Sequence, residues 1–351
     1  MPTREEAKRA LDMVIAKSRI HLYKPIQIAE ILYHDRICGR INLLNLEEYR
    51  TKSKKWRDDI SRELLGRICT SSARFQDDLF NANAIPPVLL NELGNENRRT
   101  GGAVEAYIYS RFTNKYGQLH KALEYCLTAE TNTFNVKFFI DSFWNEPGLK
   151  RSIDKIYEIV VYSLFSTLVD ALNLKVEISV DASKFSLLSE FEDFTKKVMC
   201  LDYSNPTYVQ DAKVFRVGVT NAADRGLDMY SNWGPAIQIK HLSLDADLAQ
   251  SIVTSVSSDR IVIVCKKAEE AVIVSLLTQI GWRSKIQSII TEDDLVAWYE
   301  KALRGKYADL LGKHLLDTLI GEIGEEFPST DDTPEILKQR HYENIADDFW
   351  S

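Results

Sequence analysis

Asn221-Ala-Ala-Asp-Arg-Gly-Leu-Asp-Met-Tyr-Ser-Asn-Trp-Gly-Pro-Ala-Ile-Gln-Ile-Lys240 is the stretch that decides how the second half of this 351-residue chain folds. The turn signal around Asp224-Arg-Gly226 leads into one short strand, and Trp233-Gly-Pro235 separates it from the next, Ala236-Ile-Gln-Ile-Lys-His-Leu242. Successive side chains on a strand point to opposite faces, so Gln238 and Lys240 share one face while Ile237 and Ile239 take the other. Asp228, directly before the connection, comes back beside them.

Outward from this hairpin, strand and helix patterns alternate. Upstream stand a strongly apolar helix at 151–172, the short strand KVEIS, a helix at 189–199 and the alternating strand VFRVGVT. Downstream come a helix at 244–256, the apolar run RIVIVC of a buried strand, a helix at 268–280, the strand KIQSII and a helix at 293–303. That alternation predicts an α/β unit, a sheet with helices packed on it. The first half reads as helical throughout. Ala7, Leu11, Val14 and Ile15 give an amphipathic helix over 3–19; Pro25 suits the first position of a second; a longer one covers 46–67. Short helices follow Pro86-Pro87 and Gly101-Gly102, and Pro147-Gly148 marks a boundary. The expected organisation is an α-rich region at 1–148, a catalytic unit at 149–316 and an acidic tail at 317–351. No internal repeat or low-complexity tract is present.

The formal charge of −7 is unevenly spread. Residues 1–150 hold 23 Lys and Arg against 19 Asp and Glu, whereas 317–351 hold two against ten. A basic face in the first half is therefore compatible with nucleic acid despite the acidic whole. The tail can repel DNA, cover a basic surface or pack as an ordinary terminal helix. Cys38, Cys69, Cys126, Cys200 and Cys265 form no CxxC pair, which argues against a zinc site and predicts reduced, buried thiols. No run of about 18 apolar residues occurs, and MPTREEAKRALDMVIAKSR is charged and amphipathic rather than a signal sequence, so a soluble, cytoplasmic protein is expected.

The hairpin residues suit phosphodiester hydrolysis, which needs a divalent metal on hard oxygen ligands and a cation near the attacking water or the developing charge. Asp228 offers a carboxylate, Gln238 a side-chain carbonyl and Ile239 its backbone carbonyl, while Lys240 can orient or help deprotonate the water. Alone, an Asp followed by QxK is a weak signal; set between two strands with an apolar helix before and RIVIVC after, it is a stronger one. Asp224 reads as a turn residue rather than a ligand, and His241, on the face opposite Lys240, as a packed core residue. HExxH, GxSxG and Walker patterns are absent.

The arrangement resembles the PD-(D/E)xK nuclease superfamily in the variant, found in Mrr-like nucleases, where glutamine replaces the second acid. The resemblance implies a restriction-endonuclease-like mixed sheet flanked by helices, with Asp228, Gln238 and Lys240 in the metal and lysine positions and Mg2+ as cofactor. The neutral glutamine leaves the site one charge short, and Glu158 on the preceding helix is the matching candidate for an extra carboxylate. The stretches HLYKPIQIAEILYHDR, CTSSARFQDDLFNANAIPP, GGAVEAYIY and ADRGLDMYSNWGPAIQIKHLSL, within about 18–300, are similar to the HaeII family of type II restriction endonucleases. That similarity implies a homodimer cutting double-stranded DNA at the palindrome RGCGCY by a metal-activated water, with a DNA methyltransferase as companion. It assigns DNA recognition to the α-rich half, where Arg50, Lys52, Lys54, Lys55 and Arg57 are candidates for phosphates and Arg98, Arg99 and Arg111 are further ones. The competing reading of 50–57 is an exposed helix face paired to Glu47, Glu48, Asp58 and Asp59. Two rival functions remain: a modification-dependent Mrr-like nuclease, and a DNA-binding protein on the same fold without catalysis.

Overall fold

The computed structural model describes residues 2–18, 20–39, 41–69, 76–146, 148–217, 227–256, 258–268, 285–327, 335–345 and 347–350. The α-rich part begins with α1 (Arg4–Lys17), where Thr3 and Glu6 satisfy each other's backbone N–H groups in a capping box. In α2 (Tyr23–Ile37) Pro25 lies in the first turn, where its missing N–H costs no helical bond. Then come α3 (Arg50–Leu65), closed by Gly66 in the left-handed conformation at φ 65°, and α4 (Pro87–Arg99), opened by proline. The next helix, α5 (Ala103–Thr128), is 26 residues long rather than short, because Phe112, Tyr116, Leu119, Leu123 and Cys126 carry its buried stripe past the polar stretch in between. A ten-residue α6 (Val136–Asn145) is the last helix before Pro147-Gly148.

The long apolar α7 (Ile153–Ala171) opens the sheet region. The expected strand KVEIS forms as β1 (Lys175–Ser179), but the helices α8 (Phe185–Glu190) and α9 (Glu192–Met199) lead to β2 (Thr207–Asp211), and among the described residues β1 pairs only with β2, in a separate antiparallel ribbon. Both ribbon strands are largely exposed and lack the apolar face that a core strand buries. The main sheet has the order β3 (Val214–Arg216), β4 (Met229–Ser231), β5 (Ala236–Leu244), β6 (Ile261–Ala268), β7 (Ile286–Thr291). Its first three strands are antiparallel neighbours and its last three are parallel, with α10 (Ala246–Ser255) in the β5–β6 crossover. The helix expected at 268–280 and the turn residue Asp224 lie outside the described residues. After β7 come α11 (Glu292–Arg304), α12 (Ala308–Glu326) and the short α13 (Glu335–Gln339).

Alternation along the strands divides the core. Ile237 and Ile239 of β5 with Val262 and Val264 of β6 join a large apolar cluster with α7, α11, α12 and the N-terminal helices. Ala236, Ile261, Ile263 and Cys265 face the other way onto Ala249, Ile252 and Val253 of α10. One helix, α12, runs through residues 316 and 317 and packs along α7. The acidic tail then returns to the N-terminal helices. Arg340 donates to both oxygens of Glu30 at 2.6 and 3.0 Å, the Tyr342 hydroxyl donates to Glu105 at 2.9 Å, and Arg4 lies 3.5 Å over the Phe349 ring. Of the openings left by composition, the tail takes the packed one. The expectation of uniformly buried thiols needs correction. Cys126 and Cys265 are buried and Cys69 is intermediate, but Cys38 at the end of α2 and Cys200 at the end of α9 are exposed. Both sit at helix C-caps, outside the stripes that face the core.

Candidate active site

Among the described residues, pairing between β4 and β5 stops at Met229↔Ile237, and no described strand lies beside the β5 edge beyond that point. Asp228 fills the gap. One of its oxygens, Oδ2, accepts the Ile239 backbone N–H at 2.8 Å, the Lys240 ammonium at 3.3 Å and the Gln238 side-chain amide. Because a strand residue's N–H and C=O leave on the same side, the Ile239 carbonyl shares this edge with Asp228. Gln238 is 2% exposed, and among the described residues its Oε1 has no hydrogen-bond partner. An unpaired buried acceptor costs roughly 1–3 kcal/mol, so an orphaned carbonyl oxygen beside a carboxylate favours an arriving cation.

Glu158 projects from α7 at 5% exposure. Burial pushes its carboxyl up to about 7, opposed by the Lys155 ammonium 2.6 Å away; the charge of nearby Asp228 pushes it further up and Arg216 pulls it down. Arg216, on β3, is itself held by Glu322 at 2.8 Å and Glu326 at 3.2 Å on α12. Sequence reasoning missed both cations around Glu158. The i, i+3 spacing of Lys155 and Glu158 was a usable signal for the first, whereas nothing local links Arg216 to α12.

The donors present fit a hard divalent ion: Asp228 and Glu158 carboxylates, Gln238 Oε1 and the Ile239 carbonyl are all oxygens. Among the described residues no three His, Cys, Asp or Glu side chains gather as a metal-holding group, so an amide and a backbone oxygen have to complete the set. Lys240, about one-third exposed, keeps its ammonium accessible beside it.

His241 lies on the opposite face, as alternation requires. Its ring meets those of Tyr157 and Trp144 at 5.0 and 5.2 Å, and its Nε2 is 3.1 Å from Glu292. Burial works against ionisation of Glu292, but hydrogen bonds from His241 and Lys137 outweigh it and hold the carboxyl below its usual range.

The candidate DNA contacts are placed less uniformly. Arg50 and Lys54 both pair with Asp77, at 2.8 and 2.7 Å, and Arg57 is 2% exposed, bound to Asp58 at 2.6 Å and to Gln27 and Gln76 at 3.1 Å. Lys52 and Lys55 are exposed and form no ion pair among the described residues. Arg98 pairs with buried Asp35, Arg99 with Glu96 at 2.7 Å, and Arg111 lies 4.8 Å over Tyr107. None of these groups is hydrogen-bonded or ion-paired to Asp228 or Lys240 among the described residues.

A mixed five-stranded sheet flanked by helices, with acid, glutamine and lysine at one strand edge, is compatible with the restriction-endonuclease-like class of α/β folds. The model of the HaeII restriction endonuclease family matches residues 7–342. Over 343 residues, 97% of each chain, the sequence is 59% identical to the type II restriction enzyme HaeII of Haemophilus aegyptius. Over 333 residues it is 56% identical to the type II restriction enzyme NgoBI of Neisseria gonorrhoeae, covering 95% of this chain and 94% of that one. No solved structure matches. The chain belongs to the HaeII restriction endonuclease family, as the resemblance in its sequence implied.

Proposed function

We propose that this restriction endonuclease is a Mg2+-dependent type II enzyme that hydrolyses double-stranded DNA at the edge of β5. The observation that carries the reading is the convergence of Gln238, Ile239 N–H and Lys240 on a single Asp228 oxygen while Gln238 Oε1 stays unpaired. Asp228, Gln238 Oε1, the Ile239 carbonyl and Glu158 would hold the ion, which supplies Lewis-acid charge to the phosphoryl group and eases deprotonation of the attacking water. Asp228 also orients Lys240 through their 3.3 Å contact. The Lys240 ammonium then donates to the water or to a phosphoryl oxygen and offsets the charge that develops there. In this reading Glu158 has to give up its proton for the ion, since its carboxyl sits near 7.

The family resemblance supports RGCGCY as target. A palindrome presents two equivalent phosphates, which supports a homodimer carrying one site per strand. A companion methyltransferase would protect host DNA, and both would act in the cytoplasm. Lys52 and Lys55 are the members of the basic run free to meet phosphates. Digesting unmethylated and methylated plasmid with Mg2+ and sequencing the ends tests the reading. Discrete bands from unmodified DNA cut at RGCGCY are expected. Cutting confined to methylated DNA would establish the Mrr-like alternative, and Mg2+-independent binding without cutting the non-catalytic one.

A further inference from the structure

Large apolar side chains that meet water are unevenly spread over this molecule. Ten of the 22 exposed among the described residues lie within 172–209, in the β1–β2 ribbon and the helices between its strands, so that excursion stands apart from the rest of the surface. Four of the ten form a single row. The Phe191 N–H donates to the Leu187 carbonyl at 3.1 Å, and the Phe191 carbonyl accepts the N–H groups of Phe194 and Thr195 at 3.0 Å, so α8 continues into α9 in helical steps. Leu187, Phe191, Phe194 and Val198, spaced by four, three and four positions, therefore share one side, at the spacing of a coiled-coil seam. Each is between 49% and 63% exposed. Leu188 and Thr195, about a quarter-turn away, are the buried residues of these helices, so the row is not their inward face.

Four such side chains, half exposed, present about 400 Å² of apolar surface. A standard interface takes roughly 800 Å² from each partner, a little over half of it apolar, so the row with its polar margin has the size of one stable contact. Charge points to what covers it. Residues 172–211 hold seven Asp and Glu against four Lys and Arg, which disfavours DNA. Glu190 and Lys197, seven positions apart, lie along the same margin of the row. Among the described residues neither belongs to the ion pairs of this segment, which join Lys175 to Asp211 and Lys196 to Glu192 and Asp202. Two copies of the row packed antiparallel about a two-fold axis set like margins against each other, with Leu187 opposite the second copy's Val198 and Phe191 opposite its Phe194. The same axis brings each Glu190 to the other copy's Lys197, because the midpoint of the two charges falls within about one residue of the midpoint of the row.

We infer that the outward row Leu187, Phe191, Phe194 and Val198 is a docking surface for a second copy of this chain, closed at its margin by two ion pairs between Glu190 and Lys197. The inference gives the proposed homodimer a surface, and it rests on that reading of the assembly but not on the chemistry at β5. A two-fold contact needs a patch that complements itself, and this one carries an apolar row and both signs of charge on a single pair of helices.

The test measures association by sedimentation equilibrium, without DNA and over a concentration series, for wild type, Phe194→Ala/Val198→Ala, Glu190→Lys, Lys197→Glu and Glu190→Lys/Lys197→Glu. Wild type is expected at twice the chain mass. The alanine pair truncates one side of every contact in the row and should raise the dissociation constant by about a hundredfold or more. Far-UV circular dichroism should stay that of wild type, since both positions face outward and alanine is the stronger helix former. Each single charge reversal sets like charges together twice and should weaken association by about tenfold, whereas the double reversal restores both pairs and should recover wild-type affinity. A monomeric wild type overturns the surface, as does association that the alanine pair leaves unchanged. Should the alanine variant lose its fold, the reversals decide, and a double reversal no tighter than the singles overturns the surface as well. Duplex binding lost with association intact would hand the row to DNA and overturn it too. Plasmid cleavage with Mg2+ is read in parallel. A dimer that does not cut removes the nuclease reading and leaves the surface standing, and a monomer that cuts does the reverse.

Discussion

Helix α3 and the β4–β5 hairpin both carry charged residues that the sequence offers for DNA, and the fold uses that charge in opposite ways. On α3, Asp77 takes Arg50 and Lys54, while Asp58, Gln27 and Gln76 take Arg57, so most of the cationic charge is neutralised from within. In the hairpin, three donors converge on one Asp228 oxygen and leave the carbonyl oxygen of Gln238 idle in a buried position. A dense run of charge says little until its counter-charges are located. Availability, rather than number, separates a structural group from one that meets a ligand.

The comparison is most exposed at Asp228. Replacing Asp228 by Ala should lower cleavage by on the order of 10³-fold, and Lys240→Ala by roughly 10²–10³-fold, with duplex binding in EDTA preserved. Full activity in either variant would remove the hairpin from the chemistry. Next in size is Arg57→Ala, which strands partly buried Asp58 and should cost roughly 3 kcal/mol in urea unfolding, while the folded variant binds DNA like wild type. Normal stability with lost binding would reverse the assignment of α3. Glu158 gives an effect of similar order through pH. Its carboxyl is raised in the folded state, so the unfolded chain ionises first, and stability should fall as pH rises from about 4.5 to about 7, then level off. Without divalent ions, wild type should lose on the order of 3 kcal/mol over that window relative to Glu158→Gln. Parallel stability curves for the two would show that the carboxyl is not raised. The smallest effect belongs to Lys52→Ala/Lys55→Ala, expected to reduce the salt slope of binding by no more than about 1.8 and to leave stability within about 0.5 kcal/mol.

The sheet was legible because its strands carry strict patterns: Ile237 and Ile239 alternate with Gln238 and Lys240, and the IVIVC run of β6 is apolar on both sides. Asp228 could be placed beside Lys240 from the hairpin alone. Other features depend on distant partners. The strand β2 has an exposed, polar sequence and exists because β1 pairs with it. Glycines 312, 321 and 324 disguise α12 as a poor helix, yet its leucines pack on α7 and make it continuous. Composition marked the tail as acidic without showing that Arg340 and Tyr342 would seek Glu30 and Glu105, more than 230 positions earlier.

The return of the tail has a practical side for anyone building chimaeras. Because Arg340, Tyr342 and Trp350 insert among helices formed by the first 110 residues, neither half of the molecule corresponds to one uninterrupted piece of the gene. Exchanging the front segment between relatives would leave Glu30, Glu96 and Glu105 facing a foreign ending. Successful hybrids should be those in which the last dozen or so residues travel together with the first.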